Sequence, residues 1–554
     1  MTAPKRPQRG APVNAYIRAF FVYLFGTFLF VVVCLTIPEE TKKTSLSSST
    51  DPSSFSRLVE QERQQLISES KKLLRETESL NTGTAVHRDT ITLKETIQYL
   101  SDWLHKLHQT LLDARGGDYL HVWQAYHDLA IQTLIPWDET YLTQRMPPRR
   151  QDGSIFLSVA SYRDENCVNT LQWAFGNATY PERVFVGLVQ QNCVEDCLSG
   201  ILEGGRVVHQ GPDPDCYDLF CKTNPTHCPQ VRLLRVNESE SLGPYGARYF
   251  ASKLWYGESW YMQVDAHMTF LNGWDVVSID MLHKAPAQKP VISHYPPGHK
   301  MDLVEQSFKP AGRLCGPLFA TSSQENQIVR LEGLGVSTCV CGCCQQDDAA
   351  HGWLLFFLKK KQKWDKVKLD IPRFAPFAAA GYFVAHSDFL REVPFDPLLP
   401  WIFMGEEIIM STRLWTHGYD LFSPAQAVVG HIYVRPHKPK FWESNNRFLK
   451  GVGDQLEIFV LNRIKYQLGY PEAARDMLKT KSLLSYVERY SMGRQRSLQD
   501  YLKSVGLDMV QKQVTETRWC ETGKVPPGME HYRSLYRQAV LRQKQNTTAT
   551  SSTR

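Results

Sequence analysis

Charge of one sign is what this sequence has least of. Its 63 Lys and Arg stand against 57 Asp and Glu, a formal net charge of +6 over 554 residues, too slight to ask for a nucleic-acid partner. Cysteine is nearly missing from the N-terminal region, where Cys34 alone precedes Cys167. Long apolar runs are as scarce. Ala19–Ile37 carries no charge, and as a helix it would run about 28 Å, close to the ~30 Å hydrocarbon core of a bilayer. No small-x-small cleavage site follows it, which argues against a removed signal peptide. Lys5, Arg6, Arg9 and Arg18 precede it, whereas Glu39 and Glu40 balance Lys42 and Lys43 beyond it. The short tail is therefore expected in the cytosol and the rest in a lumen, a single-pass type II arrangement.

What is present reads as globular. With 42% hydrophobic and 22% charged residues the chain is not a disordered one. Twelve of its thirteen cysteines fall beyond the apolar run, which suits disulfides in an oxidising lumen. Asn177-Ala-Thr, Asn237-Glu-Ser and Asn546-Thr-Thr match the glycosylation pattern usable there. Cys339-Val-Cys-Gly-Cys-Cys344 has thiolates close enough for zinc or a cluster, but no His or Cys pair at zinc-finger spacing accompanies it. Disulfides, to Cys315 or to others, are the expected fate. The run Lys359–Lys368 reads as a solvated loop, with lipid or an acidic acceptor as its other reading.

Composition shifts divide the chain. Residues 1–18 are the tail, 19–37 the anchor and 38–88 a stem that begins Ser-rich. In the stem Val59, Leu66, Leu73 and Leu80 recur every seven residues. A short coiled coil pairing two copies and one amphipathic helix packed on its own protein both fit that spacing. Residues 89–150 form a helical pre-domain through Ile97, Leu100, Leu104, Leu107 and Leu111, ending at Gly116-Gly117 and bounded by Met146-Pro-Pro-Arg-Arg150. Over 151–470 short β-like runs alternate with helical ones. That alternation predicts an α/β domain with a mostly parallel sheet and helices on both faces. Residues 471–535 read as a helical extension and 536–554 as a disordered tail.

The chemistry centres on Trp260-Tyr-Met-Gln-Val-Asp-Ala-His-Met-Thr-Phe270, a strand pattern ending in two metal-capable side chains. Residues two apart on an extended backbone point the same way, so Asp265 and His267 reach one cation together. A carboxylate with an imidazole suits a divalent ion such as manganese, or magnesium, and leaves coordination positions open. In an open α/β sheet such a strand end faces the ligand crevice.

Four segments in order carry a family resemblance: Ser158-Val-Ala-Ser-Tyr-Arg-Asp-Glu165; Gly243-Pro-Tyr-Gly-Ala-Arg248; Gln263-Val-Asp-Ala-His267 with Trp274-Asp275; and Phe395-Asp-Pro with Met404-Gly-Glu-Glu407. Over about residues 152–470 the chain resembles the polypeptide N-acetylglucosaminyltransferases, which place an α-linked sugar on protein hydroxyls. Gly430-His-Ile-Tyr-Val-Arg435 is similar to a segment of the mucin-type N-acetylgalactosaminyltransferases.

The resemblance implies a GT-A, Rossmann-like nucleotide-diphospho-sugar transferase fold and a metal held by Asp265, His267 and His431. It implies a retaining, metal-dependent transfer of N-acetylglucosamine from UDP-GlcNAc to a Ser, Thr or hydroxyproline hydroxyl, in the Golgi. Arg163, Asp164, Arg248, Asp265 and Trp274 become donor-binding candidates, and Glu406, Glu407 and Asp396 catalytic ones. Each has a plainer reading. His431 follows an apolar run and suits a strand end, Arg248 a surface salt bridge, Arg163 and Asp164 a solvated loop, and Asp396-Pro397 a turn. Glu406 and Glu407, adjacent on a helix, diverge by about 100° and are not expected to face one sugar together. A different donor, UDP-GalNAc, and a non-catalytic carbohydrate-binding or scaffold protein on the same fold are the competing functions.

Overall fold

The computed structural model describes residues 90–515, apart from stretches within 196–211, 301–310, 322–326, 335–370, 435–437 and 474–479, and scattered residues from 519 to 541. The expected anchor, the stem, Cys339–Cys344, Lys359–Lys368 and Asn546 lie outside the described residues. Among those described, no helix is long and apolar enough to cross a membrane.

The first helix, α1 (Leu93–Ala114), starts at a capping box between Thr92 and Glu95, which satisfies two donors that the first turn leaves open. Its buried side, Leu100, Trp103, Leu104, Leu107 and Leu111, has the three- and four-residue spacing of one helix face. Helix α2 (Tyr119–Leu129) packs beside it. A doubly wound half follows: β1 (Ile155–Tyr162), α3 (Cys167–Gly176), β2 (Val184–Asn192), α4 (Cys216–Thr223), β3 (Val231–Asn237), α5 (Gly243–Lys253) and β4 (Trp260–Asp265). These four strands are mutually parallel in the spatial order β3-β2-β1-β4. The chain leaves β1 toward β2 on one side and returns as β4 on the other, so the order reverses at β1. The crevice beyond the carboxyl ends of β1 and β4 is the place where such sheets bind ligands.

Beyond β4 come β5 (Met268–Phe270), α6 (Trp274–Lys284), β6 (Pro290–Ser293), β7 (Arg313–Phe319), β8 (Val329–Leu334), β9 (Arg373–Phe374), β10 (Tyr382–His386), α7 (Glu406–Thr416), β11 (Asp420–Ser423) and β12 (Val429–His431). The sheet grows to eight strands in the order β9-β11-β6-β10-β4-β1-β2-β3. It is more mixed than the alternation predicts. β10 runs antiparallel to both β4 and β6, and β9 antiparallel to β11. Among the described residues a β7–β8 hairpin lies between β6 and β10 in the chain, whereas a right-handed helical crossover is what delivers a parallel neighbour.

Side chains alternate along β1 between two cores. Ile155, Leu157 and Val159 join the cluster under α3 and α6, and Phe156 joins the larger one. That larger cluster also takes in Trp103, Trp123 and Tyr126 of the first two helices, and Tyr490 and Tyr501 of the C-terminal segment. Arg88–Arg554 is a single compact unit.

Four disulfides join described cysteines: Cys167–Cys216, Cys193–Cys197, Cys221–Cys228 and Cys315–Cys520. Cys315 therefore pairs with Cys520 and not with the 339–344 cluster.

Candidate active site

At the switch point β4 ends on Asp265, the backbone bends through Ala266 and His267, and β5 resumes at Met268. The strand is thus interrupted between the two side chains that alternation treats as one run. What gathers the third is β12, which pairs antiparallel with β5 so that His431 lies opposite Met268. Gly430 eases that pairing, because a Cβ there would meet Thr269 Oγ1 at 2.6 Å and the threonine side chain would have to shift. Ligand atoms of Asp265, His267 and His431 all fall within 4.8 Å of one another.

Two of the three are held from behind. His267 Nδ1 is 2.6 Å from Asp164 Oδ2, leaving Nε2 as the free ring nitrogen, the arrangement typical of a metal-binding histidine with its orienting carboxylate. Asp265 Oδ1 accepts from an Arg248 guanidinium nitrogen at 2.8 Å. Its Oδ2 lies 3.1 Å from His431 Nε2, and the His431 Nδ1 is buried without a hydrogen-bond partner. Burial opposes the charge on Asp265, but His431, Arg248 and His267 together hold its carboxyl far below the ordinary range. Gly381 leaves space at this carboxylate, since a Cβ there would sit 2.9 Å from Oδ2. One carboxylate, two imidazoles and an open space beside them fit a divalent ion.

The three line a cavity of about 540 Å³. The N-terminus of α7, which begins after Gly405 in a left-handed conformation (φ +86°), also lines it. Both acidic residues there line the cavity. They do diverge. Glu406 pairs with Arg248 and lies 3.4 Å from Gln263 Nε2. Glu407 accepts from Tyr295 at 2.6 Å and from the Ala380 backbone N–H at 2.9 Å. Burial raises Glu406 to about 7, more than Arg248 lowers it. Burial likewise raises Glu407, against the pull of Tyr295 and Ala380.

Three candidates from the sequence do not reach this cavity. Arg163 has φ +47°, which turns it inward. It is fully buried and its guanidinium bonds Asp213 at 2.8 Å and Glu238 at 2.6 Å. Trp274 is fully buried under the sheet, its indole N–H donating to Ala174 O at 2.8 Å. Asp396 makes a buried ion pair with Arg463 at 2.8 Å and accepts from the Leu398 N–H. Each is structural where it stands, and Asp164 is placed as an orienter of His267.

Tyr295 and Gly381 went unnoticed in the sequence. Tyr295 stands two residues past the end of β6, where the strand-end rule that finds Asp265 also applies. Gly381 closes Ala378-Ala-Ala-Gly381, a run of small residues where the backbone approaches the site.

A family model described as Glycosyltransferase (GlcNAc) matches residues 154–511, more than half of the chain. The chain belongs to this glycosyltransferase family. No curated protein matches it. Among solved structures the glycosyltransferase is similar to GalNAc-T7 with UDP, GalNAc and Mn2+, at 13% identity and TM-score 0.34, over 67% of this chain and 63% of that one. It is also similar to S. aureus TarS 1–349 in complex with UDP-GlcNAc, at 11% identity and TM-score 0.30, over 70% and 92%. The chain thus spans less than two thirds of the GalNAc-T7 structure.

Proposed function

We propose that this glycosyltransferase moves N-acetylglucosamine from UDP-GlcNAc to a Ser, Thr or hydroxyproline hydroxyl of a polypeptide, with retention and with manganese, or magnesium, held by Asp265, His267 and His431. The observation that carries the reading is the meeting, in one cavity at the switch point of the sheet, of these three side chains and two carboxylates on a helix N-terminus. A bound divalent ion would supply Lewis-acid neutralisation of the two charges that a departing nucleoside diphosphate leaves.

The chain's own residues do the rest. Asp164 and Arg248 hold His267 and Asp265 in place before any ligand arrives, so little reorganisation accompanies reaction. Glu406 and Glu407 project into the space beside them and accept hydroxyl hydrogen bonds or stabilise a developing oxocarbenium ion. Tyr295 and the Ala380 N–H fix the plane of Glu407.

Ala19–Ile37 is the proposed Golgi anchor of a type II protein. The disulfides support a lumenal catalytic part, because such bonds persist in oxidising compartments.

The test is incubation of the segment from residue 89 with manganese, Thr-rich peptides and separate nucleotide sugars, UDP-GlcNAc and UDP-GalNAc among them. An α-linked N-acetylglucosamine on a peptide hydroxyl, found by mass spectrometry and NMR, is expected. Transfer of another sugar alone would change the donor. Glycan binding with no donor breakdown would make the protein a carbohydrate-binding one.

A further inference from the structure

We propose that Arg248 is a positioning residue that bridges Asp265 and Glu406 and so fixes both carboxylates at the candidate metal site. Resting on the metal reading above, this assigns the residue a different task from diphosphate binding. One terminal nitrogen bonds Asp265 Oδ1 at 2.8 Å and the other pairs with Glu406 Oε2. The side chain is 5% exposed, and its Nε is buried without a hydrogen-bond partner. Two of the five N–H donors of the guanidinium are thereby committed to the two carboxylates. The planar fork suits this double duty, since its donors diverge at fixed angles that a single ammonium lacks.

Removing the bridge would leave the buried Glu406 and the partly exposed Asp265 without the cation between them. Asp265 offers Oδ2 toward His431 and the open space at Gly381 because Oδ1 is pinned by Arg248. Without the pin the carboxylate plane is free to rotate away.

Arg248 is itself fixed by its helix. Tyr249 and Lys253, one and five residues on, both reach the fully buried Asp138, which also accepts from Tyr490 at 2.7 Å. Asp138 precedes the matched family region, so the brace on α5 comes from the N-terminal helical segment and the C-terminal segment together.

The experiment measures manganese alone, by the loss of its free-ion EPR signal, on wild type, Arg248→Gln and Arg248→Lys, with thermal melts alongside. Arg248→Gln is expected to weaken manganese binding on the order of 10- to 100-fold, as loss of an orienting partner does at other sites. Arg248→Lys keeps a buried cation but spans only one carboxylate, so an intermediate weakening is expected; it also serves if the glutamine variant fails to fold. UDP affinity is then measured at saturating manganese. Unchanged manganese affinity in the lysine variant with weakened UDP binding would overturn the proposal and return Arg248 to the diphosphate. A wild type that binds no manganese would overturn the metal reading too, a result distinct from the first.

Discussion

Individual side chains separate cleanly into those the site uses and those it only resembles. Asp396 lies in a motif that reads as catalytic, yet it spends its carboxylate on Arg463 with neither side chain exposed. Asp396→Ala should therefore cost about 3–5 kcal/mol of stability by stranding a buried guanidinium, while metal affinity stays at the wild-type value; urea melts and manganese titration check both. Glu406 gives a prediction in pH. Its carboxyl is raised to about 7 when folded, against an ordinary value near ~4.3 in an unfolded chain. The folded state then binds the extra proton between those values, and stability falls as pH rises through the window. In metal-free protein, wild type should lose stability from pH 5 to 8 relative to Glu406→Gln, which has no proton to lose there; parallel thermal melts read the difference. Asp265 and His267 were legible at this scale as a pair at a strand end, whereas His431 joined them only through the family resemblance. Arg163 and Trp274 were not legible, since acidic partners 50 and 75 residues away and a backbone carbonyl on a neighbouring helix decide where those side chains turn.

At the scale of elements, hydrophobic patterning located most of the strands and helices around the site but not their connections. Val184–Asn192 forms β2 within the region of alternating runs, and the helix on which Glu406 and Glu407 are expected runs from Glu406 to Thr416. Antiparallel entry of β10 was hidden, because alternation of apolar residues is the same in either direction along a strand. The Met146–Arg150 segment reads as a boundary, and the helices before it nevertheless bury Trp103, Leu107 and Trp123 in the core that also holds Tyr245 and Phe250 of α5. Deleting them would expose that apolar surface and unseat Asp138 from Lys253. A fragment beginning at residue 151 should thus be insoluble or molten, whereas one beginning at 89 folds; near-UV circular dichroism and limited proteolysis distinguish these outcomes. A folded, manganese-binding 151 fragment would refute the shared core.

Across the whole molecule, the site exists because chain segments far apart in sequence meet at one reversal of strand order. Asp164 follows β1, Asp265 ends β4 and His267 follows it, Glu406 and Glu407 open α7, and His431 ends β12. No local pattern encodes that meeting; the order of motifs does so only through family resemblance, and the strand pairing of Met268 with His431 supplies the physical link. His431 is consequently the residue on which the account turns. The most direct measurement is a manganese titration of UDP-GlcNAc turnover for wild type and His431→Ala, 166 residues from Asp265. The account predicts a manganese midpoint shifted to higher concentration, or no turnover at all. An unchanged midpoint with normal turnover would contradict it and leave His431 a strand-end residue beside a two-ligand site.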